Sequence, residues 1–211
     1  MMALRRKVKI CGINSPASFD AVVEAGADYL GFVFFPASPR YVTPGEAAAL
    51  AARHAGGPLR VGLFVNPGLD EIDEILQQVS LDILQVHAPV EAIAALRNRF
   101  GRPVWRAVGV ATPADFPAPD EVSDGYVVEA KPPPGATRPG GNAVLADWNL
   151  LSTWRTQKLW LLAGGLNPGN VITAMTQTNA PGADVSSGVE TAPGEKSPEL
   201  IRQFVAAVRR L

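Results

Sequence analysis

Short apolar or β-branched runs recur along the chain, and most lead into a proline that follows a small polar residue. The runs are Val8–Cys11, Tyr29–Phe34, Val61–Val65, Ile83–Val86, Val104–Val110, Gly125–Ala130, Leu159–Ala163 and Ala183–Ser186. Continuous apolarity of this kind marks strands buried on both faces of a parallel sheet. The prolines stand at Ser15-Pro16, Thr43-Pro44, Asn66-Pro67, Thr112-Pro113, Asn167-Pro168 and Ser197-Pro198, with a weaker start at His87-Ala88-Pro89. Proline suits a first helical turn, where an N–H has no partner to lose, and the polar residue before it caps that turn. Thr43-Pro-Gly-Glu46 adds capping-box spacing. A helix is predicted after each start, and another near Asp147 or Trp148 beyond a long loop. Amphipathic spacing supports the first stretch (Phe19, Val22, Val23) and the third (Leu69, Ile72, Ile75, Leu76).

The chain thus reads as eight strand–helix units of about 26 residues each. Such alternation builds a parallel sheet with helices outside it. Eight units close a (β/α)8 TIM barrel, and 211 residues lie near the lower limit for that fold. The rival is an open doubly wound sheet, whose first turn carries G-x-G-x-x-G; here Cys11-Gly-Ile-Asn-Ser15 lacks it. The expectation is an α/β fold, a single barrel domain over residues 1–211 with eight parallel strands and outer helices.

Composition narrows the function. A net charge of −1 argues against nucleic acid or an anionic membrane as partner. No apolar run approaches a membrane span, and the opening MMALRRKVKICG has no apolar segment behind its charges, unlike a signal peptide. One cysteine and two distant histidines make neither a disulfide framework nor a zinc cluster. The expectation is a cytoplasmic protein using no cofactor and no metal, binding a small molecule, and working as monomer or homodimer. The Pro/Gly-rich segment Lys131–Gly141 reads as a lid or as a surface insertion.

A barrel of this kind carries its active site at the carboxyl ends of the strands. Residues at the predicted strand exits are Cys11, Arg40, His87, Arg106, Glu129, Gly164-Gly165 and Asp184-Val-Ser-Ser-Gly188. Lys7, Lys9 and Cys11 alternate onto one strand face, so an inward face puts Lys9 beneath the thiol, where an ammonium favours thiolate. A buried inert cysteine is the competing reading. The glycine-bearing turns Gly164-Gly165 and Ser186-Ser187-Gly188 follow the last two strands, where backbone N–H groups hold phosphate in many barrels. Arg40 offers a planar fork to a carboxylate. Glu129, facing an apolar pocket, suits a proton donor, and His87 is either a pocket group or a helix-start residue.

These motifs converge. Lys9-Ile-Cys-Gly12, Ser38-Pro-Arg40, Gln85-Val-His87, Gly164-Gly-Leu-Asn-Pro168 and Asp184-Val-Ser-Ser-Gly-Val-Glu190 resemble the phosphoribosylanthranilate isomerases of tryptophan biosynthesis over the whole chain. The resemblance implies a cofactor-free Amadori rearrangement of phosphoribosylanthranilate to 1-(2-carboxyphenylamino)-1-deoxyribulose 5-phosphate. It implies Cys11 as the base at C2 of the sugar and an acid at the end of the sixth strand. It further implies Arg40, His87 and Asp184 as substrate-binding residues, and Gly164, Gly165, Ser186, Ser187 and Gly188 as the phosphate site. Two positions depart: Glu129 stands where the family has Asp, and Ala88 where it has Gly. The first leaves an alternative, a catalytically impaired barrel that only binds a phosphorylated ligand. A histidine-pathway isomerase fits less well, since strand one ends in cysteine and Val61–Pro67 has no Gly-Gly turn.

Overall fold

In the computed structural model, which describes residues 5–132, 135 and 145–211, eight parallel strands close on themselves in chain order. They are β1 (Lys7–Cys11), β2 (Tyr29–Val33), β3 (Leu59–Val65), β4 (Ile83–His87), β5 (Val104–Val110), β6 (Gly125–Ala130), β7 (Leu159–Leu162) and β8 (Gly182–Val185). The seam pairs β1 with β8, Lys9 standing opposite Asp184. Outside lie α1 (Pro16–Ala25), α2 (Pro44–Ala51), α3 (Leu69–Leu76), α4 (Val90–Phe100), α5 (Trp148–Leu151), α6 (Val171–Thr178) and α7 (Pro198–Val208). A small antiparallel hairpin, β9 (Glu190–Ala192) and β10 (Glu195–Lys196), follows β8. It has no counterpart in the reading from sequence.

The starts at Ser15, Thr43 and Ser197 are N-caps whose side chains accept from the helical N–H three residues on. Others shift. Asn66 takes a positive φ of 45° and ends the strand, so α3 begins after Gly68. Asn167 accepts from the Gly169 N–H, and Asn170 precedes α6 instead. The fifth unit has no α-helix. Thr112 and Asp115 form a capping box, but only the 3-10 turn Pro113–Asp115 follows. Phe116 precedes Pro117, which disfavours helical backbone there, and the chain leaves extended.

Two apolar layers result from strand alternation. Tyr29, Val61, Ile83, Trp105, Val127 and Leu161 fill the barrel interior. Leu30, Phe32, Phe64, Ile72 and Phe204 lie between strands and helices. Glycine is required where backbones approach: a Cβ on Gly182 would lie 2.4 Å from a Leu161 methyl and 2.9 Å from the Lys7 carbonyl oxygen. Among the described residues no helix is long and apolar enough to cross a membrane. The Lys131–Gly141 segment falls mostly outside the described residues.

Helix α7 packs on α1 over the seam, with Phe204 fully buried. Phe204→Ala is expected to cost about 3–5 kcal/mol of unfolding free energy, measured by urea titration. A loss below about 1 kcal/mol would contradict that packing.

Candidate active site

The carboxyl ends of the strands surround one open cavity of about 790 Å³, including its mouth. Cys11, Arg40, His87, Glu129 and Asp184 line it, together with both turns that follow β7 and β8. Alternation in β1 sends Lys9 and Cys11 inward. A Cβ on neighbouring Gly31 would come within 3.1 Å of Sγ, so the glycine leaves the thiol its place.

Lys9 is completely buried and donates to Asp184 Oδ1 at 2.9 Å. Burial alone would lower its pKa, yet Asp184 and Cys11 outweigh this and hold the ammonium charged. Cys11 goes the other way. Burial pushes the thiol up, Lys9 and Lys196 pull it down, and Asp184 cancels part of their effect, leaving it raised. The priming expected from Lys9 alone is therefore corrected: burial, helped by Asp184, outweighs the ammonium, and the resting sulfur carries its proton. Burial, then Lys9, lowers His87 to about 4, so this imidazole is neutral at physiological pH.

Arg40 lies across Gly12, whose φ of 79° and lack of a side chain admit the arginine methylenes. Its Nε and Nη2 donate to Glu190 Oε1 and Oε2 at 2.7 and 2.8 Å. The open fork expected from sequence is thus occupied on one edge. Among the described residues, Nη1 and the outer N–H of Nη2 donate to no protein acceptor, since a guanidinium has about five N–H donors and Glu190 takes two. Lys196, fully buried on β10, donates to the same carboxylate at 2.6 Å and to Ser186 O and Oγ at 3.0 and 3.1 Å. Burial raises the Glu190 pKa, but the two cations more than reverse this and hold it at about 2.

Gly164 and Gly165 adopt φ of 84° and 64°, turning the chain out of β7. Asn170 braces the turn by donating to Gly165 O at 3.0 Å. Ser186 donates to Cys11 O at 3.1 Å, tying the second turn to β1. Among the described residues, the N–H groups of Gly164, Gly165, Ser186 and Ser187 donate to no protein acceptor. Four unpaired donors on small residues suit a phosphate. Gly188 does not line the cavity. A Cβ there would sit 1.8 Å from Leu166 O, so Gly188 lets the two turns touch.

Glu129, at the end of β6, reaches the cavity on the inward face. Arg106 does not: it lies early in β5 and pairs bidentately with Glu121 at 2.8 and 2.7 Å, away from the strand exits. Two other groups had no role in the reading from sequence, although Gln85 stood within the motif Gln85-Val-His87. Lys196 sits in an unremarkable Gly-Glu-Lys run before a helix. Gln85 is buried on the cavity wall, and among the described residues its Oε1 has no hydrogen-bond partner. Among the described residues, no three His, Cys, Asp or Glu side chains converge to hold a metal ion.

The family model described as N-(5'phosphoribosyl)anthranilate (PRA) isomerase matches residues 8–207. An N-(5'-phosphoribosyl)anthranilate isomerase of Acidiphilium cryptum is 53% identical, covering 95% of this chain and 97% of that one. One from Paracoccus denitrificans is 52% identical over 94% and 95%. The solved isomerase of Thermotoga maritima superposes with a TM-score of 0.83 at 33% identity, over 98% and 100% of the two chains. A further solved isomerase, in complex with reduced 1-(o-carboxyphenylamino)-1-deoxyribulose 5-phosphate, gives 0.78 at 31% identity over the same shares.

Because Cys11 is the sole cysteine, alkylation reports on it alone. Iodoacetamide reacts with thiolate, so the rate rises with pH through the pKa. The midpoint is expected above that of free cysteine, with no step in the imidazole range. A midpoint at or below free cysteine would mean that Lys9 outweighs burial and Asp184.

Proposed function

The chain belongs to the N-(5'-phosphoribosyl)anthranilate isomerase family and is an isomerase of tryptophan biosynthesis, and we propose that Cys11 and Glu129 are its base and acid. One observation carries the assignment: a thiol and a carboxyl group line the same cavity as an arginine and a pair of unpaired-amide turns. The substrate has a carboxylate at one end and a phosphate at the other. Arg40 and the turns at Gly164-Gly165 and Ser186-Ser187 supply donors of the matching kind. Anchors at both ends convert binding energy into orientation of the sugar between them.

The chemistry then needs only proton transfers. Glu129, as the acid, protonates the ribose ring oxygen; the bond from C1 to that oxygen breaks, and the nitrogen lone pair closes a protonated Schiff base. This new positive charge lies next to C2 and lowers the cost of a thiolate nearby. The Cys11 thiol passes its proton through solvent to the Glu129 carboxylate left by ring opening. The thiolate then removes the C2 proton, and the electron pair moves to the C1–C2 bond as the C1–N double bond returns its pair to nitrogen. The resulting enol loses its hydroxyl proton and gains one at C1, giving the ketose. The pair ends as it began, thiol and carboxylic acid both protonated, with no net oxidation.

His87, neutral, acts as a pocket hydrogen-bonding group. Asp184 acts mainly through Lys9, holding the ammonium under the thiol. Gly188 contributes to the phosphate site by allowing its two turns to meet. Apart from Glu129 itself, nothing in the site favours the alternative of a catalytically impaired barrel, because a pure binder needs neither the thiol nor the acid. The side chain of Glu129 is one methylene longer than the family's Asp, a displacement of about 1.5 Å, on a scale where about 1 Å can cost roughly 100-fold.

Phosphoribosylanthranilate formed in situ is fluorescent, and its loss measures turnover. Glu129→Ala and Cys11→Ala are each expected to lower kcat by about 100-fold or more with little change in KM. Glu129→Asp, which keeps the acid, retains measurable turnover. Full activity in Glu129→Ala would remove that residue from the mechanism, and full activity in Cys11→Ala would remove the thiol.

A further inference from the structure

The anchoring arginine is not a free cation. Glu190 takes two of its N–H groups in a bidentate pair buried on both sides, with 8% and 5% of the side chains exposed. Arginine and glutamate together are neutral, and a neutral pair attracts an incoming carboxylate poorly. Lys196 changes the sum. Its ammonium, with no exposed surface, shares Glu190 Oε1 with Arg40 Nε. Three acceptors surround it: Glu190 Oε1, Ser186 O and Ser186 Oγ. A neutral amine has only two N–H donors, so three acceptors call for the charged form. Burial is the larger influence and lowers its pKa below the ordinary lysine value, while Glu190 opposes that and favours the charge.

The hairpin that carries Lys196 is fixed to the loop that carries Arg40. A Cβ on Gly194 would lie 2.4 Å from Pro39 O, and Gly194 O accepts from Asn14 at 2.9 Å. Gly194 N–H also donates to Glu190 Oε2 at 3.3 Å. The three charges are therefore held as one rigid unit with a net charge of +1.

Resting on the reading of Arg40 as the carboxylate anchor, we infer that Lys196 is a specificity-determining positioning residue: through Glu190 it restores to the Arg40 anchor the positive charge that recognises the substrate's carboxylate. Lys196 acts through Arg40 and touches no reacting atom. The inference separates it from a group that merely holds the Ser186 turn. Such a group would affect every phosphorylated substrate alike.

The test compares phosphoribosylanthranilate with N-(5-phosphoribosyl)aniline, made in the same way and lacking only the carboxylate. For each protein the ratio of the two kcat/KM values is measured. The wild-type chain is expected to prefer the carboxylated substrate. In Lys196→Met the preference falls on the order of tenfold, chiefly through KM, the scale of one charge-assisted hydrogen bond. Lys196→Arg keeps the charge and recovers the preference. Should Lys196→Met fail to fold by urea titration, Lys196→Gln removes the charge while keeping donors for Ser186. An unchanged ratio in the neutral variants, including an equal loss on both substrates, overturns the inference. If the wild-type chain shows no preference at all, the Arg40 reading itself fails.

Discussion

The buried ion pair between Lys9 and Asp184 is the constraint on which the site's arrangement depends. These two residues face each other in register across the β1–β8 seam, where the barrel closes. A lysine with no exposed surface is costly unless its charge is met, and Asp184 meets it at 2.9 Å. Side chains two residues further along each strand point the same way. Cys11 and Ser186 therefore reach the cavity beside one another, and Ser186 donates to the Cys11 carbonyl. Closing the barrel and bringing the Cys11 thiol to the cavity are one structural event.

The same pair explains why charge had to be read as a set. Lys9 alone would draw Cys11 toward thiolate; Lys9 with Asp184 beside it does so far less, and burial wins. Arg40 and Lys196 are likewise joined through one carboxylate. The cavity is thus built from compensated charges, in which each functional group has a partner deciding how much of its charge a ligand meets. Such pairs are costly to bury, and their value lies in orientation more than in stability.

Much of this was legible in the sequence because the relevant signals are local. Apolar runs located all eight strands, with Val104–Val110 and Gly125–Ala130 matching to the residue. Proline after a capping residue located α1, α2 and α7. The same signal misled at Thr112-Pro113, where Pro117 blocks the turn from growing, and at Asn66, whose left-handed backbone serves the strand exit. Cys11, Arg40, His87, Glu129 and Asp184 were found from strand ends and motif likeness, and one cavity gathers them. Pairings across the chain were not legible. Arg40 and Glu190 stand 150 residues apart, and no spacing rule joins them. Arg106 failed on its strand face: Trp105 points into the barrel interior, so the adjacent Arg106 points outward, early in β5, and meets Glu121.

The hairpin after β8 reaches back over the seam to the loop after β2, so residues from early and late in the chain meet at the Arg40–Glu190 pair. A nascent chain on the ribosome that has completed seven strands already carries Cys11, Arg40 and Glu129 but lacks Asp184, Ser186, Glu190 and Lys196. Until the eighth strand emerges, Lys9 has no counter-charge, and the growing protein has an unmet ammonium where its core must form. Translation order thus holds back both barrel closure and the gathering of the cavity's groups to the same late moment.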